Sequence, residues 1–171
     1  MFLEQSTGRR FIQVGNVGDS SGFLCRNGIA VPVTVDHSAA HPSEKERLQS
    51  EYGIEIEDGC KRLPGVELAV SRALGDFFAK AAEVKSGLIA TPYVHPTIQV
   101  EENDSFLVFA SDGLWDIFTG QKVVDMVQDL MRIKEIEKSE GPETNMAQFL
   151  INKAMEAEHC HDNISAIVII L

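Results

Sequence analysis

The sequence predicts an α+β fold with helices packed on sheet, and three observations carry that expectation. Extended segments dominate the first two thirds of the chain, while helical periodicity appears late. Phe106-Leu107-Val108-Phe109 is continuously apolar, the signature of a strand buried on both faces. Two late segments, about 121–138 and 145–157, carry apolar residues at helical spacing.

Residues 11–17 (Phe-Ile-Gln-Val-Gly-Asn-Val) alternate like a strand, and Gly18-Asp19-Ser20-Ser21-Gly22 ends it in a turn. Phe23 to Arg26 resumes extended chain. Asn27-Gly28 is a hairpin signal, and Ile29 to Val35 returns as its partner. A helix is predicted from Pro42, with Ser43 as N-cap, Glu46 completing a capping box and Gly53 as the stop. Ile54 to Glu57 and Leu68 to Val70 read as short strands, and 77–92 as loop with at most one helical turn. Thr97 to Val100 and Ser105 to Ala110 are the next strands. In the first late helix Val123, Val124, Val127, Leu130 and Met131 share a face. In the second, Thr144 is the expected cap and Ala147, Leu150, Ile151 and Ala154 point inward. Residues 164–171 close the chain as a buried strand.

A chain of 171 residues with 44% hydrophobic content suits one globular domain. Its net charge of −11 argues against nucleic acid as a partner, since phosphate-backbone binding needs clustered Lys and Arg. No apolar run spans a bilayer and no charged-then-apolar leader opens the chain, so no membrane partner is expected. Three widely spaced cysteines, Cys25, Cys60 and Cys160, imply no disulfide framework and fit a reducing intracellular compartment, cytoplasmic or nuclear. His159-Cys160-His161-Asp162 is crowded with soft ligands, but adjacent positions converge poorly on one tetrahedral ion, so zinc is not expected there.

Three aspartates stand at element ends. Asp19 and Asp112 each follow a predicted strand, and Asp162 precedes one. If the last strand runs antiparallel to the other two, all three carboxylates gather at one sheet edge, with Gly18 and Gly113 allowing tight turns. Carboxylates so placed repel one another unless cations sit between them, and hard oxygen donors suit Mg²⁺ or Mn²⁺. Taken singly, each aspartate reads as an ordinary turn former.

Five ordered segments then carry a resemblance: Val17-Gly18-Asp19-Ser20, Thr34-Val35-Asp36-His37, Leu68-Ala69-Val70-Ser71-Arg72-Ala73-Leu74-Gly75-Asp76, Ala110-Ser111-Asp112-Gly113-Leu114-Trp115-Asp116 and Asp162-Asn163-Ile164-Ser165. They resemble successive motifs of the metal-dependent, type 2C serine/threonine protein phosphatases. The resemblance implies a β-sandwich flanked by helices in αββα layers, with a metal centre in a cleft at one end of the sheets. It implies Mg²⁺- or Mn²⁺-dependent hydrolysis of phosphoserine and phosphothreonine in phosphoprotein substrates by metal-activated water. Asp112 and Asp162 match the family's metal ligands, and Asp19 matches a carboxylate serving an additional, weaker cation. Residues 37–80 match a flap beside the cleft that influences substrate choice. Arg72 and Asp76 are read as structural, Asn163 as orienting the Asp162 turn, Asp116 as capping or positioning the following helix and Trp115 as core.

The resemblance covers the later part of that family's domain. Its early motifs, an Arg and Glu-Asp segment and an Asp-Gly-His-Gly-Gly segment, are absent, and with them the phosphate-binding arginine, a bridging aspartate and a general-acid histidine. No catalytic residue is therefore assigned, and Ser21 stands where the family usually has arginine. The expectation is a single partial domain over 1–171, lacking N-terminal strands and a helix, with weak metal binding and little or no activity of its own. Its exposed sheet edges invite self-association or pairing with another chain. The competing reading is a catalytically inactive binding or regulatory module.

Overall fold

The computed structural model describes residues 1–4, 8–137 and 145–171. The chain divides into two compact units, one of 1–14, 20–34 and 95–171, the other of 15–19 and 35–94.

The first unit holds two antiparallel sheets. Strands β1 (Phe2–Leu3), β2 (Arg10–Ile12) and β7 (Ile98–Gln99) form one, in the order β1-β2-β7. Strands β4 (Ser21–Arg26), β5 (Ile29–Pro32), β8 (Asp104–Ala110) and β9 (Ala166–Ile170) form the other, in the order β5-β4-β8-β9. The apolar run in β8 explains the layering, because alternate side chains leave opposite faces of a strand. Phe106, Val108 and Ala110 pack with Cys25 against Val123, Val124 and Val127 of α3 (Gly120–Glu137) and Leu150 and Ala154 of α4 (Met146–Met155). Leu107, on the other face, joins Leu24 and Val33 in a core with Ile12 and Val14. The result is a helical layer, a four-stranded sheet and a three-stranded sheet. The expected sandwich is present, with helices covering one side of it among the described residues.

The second unit pairs β3 (Gly15–Asn16) with β6 (Tyr93–Val94) and contains α1 (Pro42–Tyr52). Its core is Ala39, Leu48, Ile56, Leu63, Ala79 and Leu88.

Several expectations are corrected. The single strand over 11–17 is two, β2 and β3, in different sheets. Their partners β7 and β6 are separated by Pro96, which has no N–H to continue a ladder. Helix α1 is capped at His41, not Ser43, because Pro42 at the first helical position needs no donor. Gly53 does stop it, in the left-handed conformation at φ 67°. No strand forms at 54–57, and 68–70 contributes only a bridge between Val70 and Ser38. Asp116 does not cap α3; Thr119 Oγ1 accepts the Lys122 N–H there at 3.2 Å. Thr144 and Lys138 lie outside the described residues, and Asn145 caps α4 by accepting from Gln148 N. A short helix α2 (Asp112–Trp115) was not anticipated.

Candidate metal centre

Ala110 is the last residue of β8 and Ala166 the first of β9, and the two are register partners. The end of one strand therefore stands beside the start of the other, as antiparallel pairing requires. Ser111 extends the pairing: its N–H donates to Ser165 O at 3.0 Å, and its Oγ accepts from Ser165 N at 3.1 Å. Immediately beyond, the Asp112 and Asp162 turns meet. A Cβ added to Gly113 would stand 2.5 Å from Asn163 O, so only glycine permits this approach.

The two carboxylates are held alike. Asp112 Oδ1 accepts Gly113 N–H at 2.9 Å, and Asp162 Oδ1 accepts Asn163 N–H at 2.7 Å. Each is oriented by the amide of the residue that follows it. Among the described residues nothing else donates to either carboxylate, so each keeps an oxygen for a ligand. Asp112 is half-buried and Asp162 exposed. These hard oxygens fit Mg²⁺ or Mn²⁺ in kind, but two are few for a closed site. Among the described residues no group of three or more His, Cys, Asp or Glu converges to hold a metal ion. Trp115 anchors the turn from beneath: its Nε1–H donates to Ala110 O at 2.9 Å and its ring lies 5.0 Å from that of Phe23.

The family model described as Protein phosphatase 2C matches residues 2–164. The chain belongs to the protein phosphatase 2C family. A probable protein phosphatase of Dictyostelium discoideum is 38% identical over 166 residues, covering 97% of this chain and 16% of its own length. Protein phosphatase 2C 3 of Arabidopsis thaliana is 34% identical, over 92% of this chain and 42% of its own. Among solved structures, a phosphatase from Toxoplasma gondii superposes with TM-score 0.69 at 27% identity, covering 92% of this chain and 47% of that one. A sex-determining protein of Caenorhabditis elegans shares the fold at TM-score 0.73 and 22% identity, over 98% of this chain and 38% of that one. The chain thus spans less than half the length of each of these relatives.

The third aspartate of this phosphatase 2C chain, Asp19, lies half-buried in the second unit, after β3. Gly18 before it has φ +98°, and its carbonyl is heavily used: His37 N and His37 Nδ1 each stand at 3.1 Å and Asn16 Nδ2 at 3.4 Å. Asn16 also ties itself to Val35, through N–H to Oδ1 at 3.2 Å and Nδ2 to carbonyl at 2.7 Å.

The same unit holds a buried charge network that the motifs gave no reason to expect. Glu44, in the first turn of α1, is fully buried. Arg47 donates to its Oε2 through Nη2 at 2.8 Å and Nε at 3.1 Å, and Arg72 to its Oε1 through Nε at 2.9 Å and Nη2. Ser71 Oγ is 2.7 Å from Oε2. Burial pushes the Glu44 carboxyl up, but hydrogen bonds from Arg72, Arg47 and Ser71 outweigh it and hold the group down at about 2. Arg72 and Asp76 have structural settings here: Arg72 also reaches Thr91 O at 3.0 Å, and Asp76, at φ 48°, turns the chain with its carbonyl accepting from Ala79 N. Cys25, Cys60 and Cys160 are all free thiols.

Proposed function

We propose that the chain serves in Mg²⁺- or Mn²⁺-dependent hydrolysis of phosphoserine and phosphothreonine esters on protein substrates. The observation that carries this reading is the locked pair of turns bearing Asp112 and Asp162, each with one carboxylate oxygen fixed and one available. Asp112 and Asp162 would hold a divalent cation, and Asp19 a further, weaker one. When bound, such an ion supplies Lewis-acid charge to phosphoryl oxygens and acidifies water for attack. The chain's own contribution is orientation. The Gly113 and Asn163 amides keep both carboxylates aimed, and the Ser111–Ser165 hydrogen bonds keep the turns in register. Residues 37–80 are the flap that biases substrate choice. The free thiols favour a reducing, intracellular setting.

Two carboxylates bind a cation weakly, so the 171-residue chain is expected to release phosphate from a phosphothreonine peptide slowly or not at all. Any release should require Mg²⁺ or Mn²⁺ and vanish in Asp112→Asn. Metal-independent release, or an unaffected Asp112→Asn, contradicts the proposal, and robust turnover contradicts the incomplete centre. The alternative, an inactive binding module, is favoured by one observation, the lack of a three-ligand cluster among the described residues. Phosphopeptide binding without any Mn²⁺ dependence would select it.

Pairing through a sheet edge is also proposed. Strand β9 ends the four-stranded sheet, its sequence Ala-Ile-Val-Ile-Ile carries no charge, and Ile167, Ile169 and Ile170 are exposed. Nothing in the strand guards against pairing. Sedimentation should show concentration-dependent association that Ile169→Lys abolishes; a monomer at high concentration contradicts it.

A further inference from the structure

We propose that His37 is a positioning residue for Asp19, setting the carboxylate through the Gly18 carbonyl; the proposal rests on the reading of Asp19 as a cation ligand. His37 is 1% exposed. A carbonyl only accepts, so the 3.1 Å contact to Gly18 O fixes the proton on Nδ1. Nε2 is then a bare lone pair, and it is buried without a hydrogen-bond partner among the described residues. A buried acceptor left unpaired is costly. Packing alone would favour an apolar side chain here, so what the imidazole adds is the Nδ1–H donor.

That donor is itself held from behind. The His37 carbonyl accepts from Ser71 N at 2.6 Å and lies 2.7 Å from Ser71 Oγ, which also faces Glu44 Oε2. Glu44 is gripped by Arg47 and Arg72. The Arg72 carbonyl lies 3.8 Å from where a Cβ on Gly18 would stand. A continuous run of hydrogen bonds, part-buried at the two arginines and buried beyond Glu44, therefore leads through Ser71 and His37 to the peptide just before Asp19. At φ +98°, Gly18 adopts a conformation open to glycine and rare for other residues, and a fixed carbonyl there restricts glycine's wider backbone freedom.

The test is Mn²⁺ affinity of the full 171-residue chain, measured by electron paramagnetic resonance titration, with circular dichroism confirming the fold of each variant. His37→Asn keeps a donor at the δ position; His37→Gln moves it to the ε position and His37→Leu removes it. Losing one hydrogen bond that aims a ligand should weaken Mn²⁺ binding about fivefold. The proposal predicts that loss in His37→Gln and His37→Leu, and affinity within about twofold of wild type in His37→Asn. If His37→Leu does not fold, the Asn and Gln pair carries the comparison. In an Asp19→Asn background the His37 variants should cause no further loss, which a general structural defect would not reproduce. A shift that persists in that background overturns the proposal. So does unchanged affinity in the His37 variants when Asp19→Asn alone weakens binding, and the reading of Asp19 then stands. If Asp19→Asn changes nothing, that reading fails and the proposal with it.

Discussion

Gly113 and Asn163 meet backbone to backbone: a side-chain carbon on Gly113 would stand 2.5 Å from the Asn163 carbonyl oxygen and 3.2 Å from its carbon. Neither atom belongs to a flexible side chain, so the turn cannot yield cheaply. Gly113→Ala is expected to cost about 1–3 kcal/mol, as overpacking does, and to weaken Mn²⁺ binding more than an exposed helical control such as Ser50→Ala. Urea unfolding and metal titration of both variants check this.

Glu44 makes stability pH-dependent in a definite direction. Its folded carboxyl lies at about 2 against an ordinary 4.5. A lowered folded value means the stabilisation is complete above about pH 5 and is lost as pH falls through 4.5 toward 2. Glu44→Gln should destabilise the second unit by about 3 kcal/mol at pH 7, since it strands two arginines. It should also flatten the acid limb of the urea midpoint against pH. An unchanged limb would mean the network contributes nothing.

Trp115→Phe keeps an aromatic ring at the site but removes the 2.9 Å hydrogen bond to Ala110 O. A loss of about 1 kcal/mol is expected, read by calorimetry because Trp115 is the sole tryptophan. Equal stability would show that the indole N–H is not holding the turn.

The parts of the fold legible in the sequence were those set by local pattern. The run 106–109 announced a strand covered on both faces, and Leu107 and Phe106 do enter different cores. The placement of Asp112 and Asp162 beside paired strand ends was legible because Asp-Gly and Asp-Asn are local turn signals. Glu44 was not. An acidic residue in a first turn reads as surface, and the residue that changes this, Arg72, is 28 positions away. Arg47 at i+3 was the only nearby hint. His37 sat in a recognised segment, yet its task depends on Gly18, 19 residues earlier. The division of 11–17 between two sheets was likewise decided by distant partners flanking Pro96.

The central claim is that Asp112 and Asp162 share one divalent cation, and Mn²⁺ titration of wild type, Asp112→Asn, Asp162→Asn and the double variant tests it most directly. The account predicts that either single substitution weakens Mn²⁺ binding about tenfold or more and that the double variant loses little beyond that. Wild-type affinity in both single variants, or losses that simply add, would contradict it.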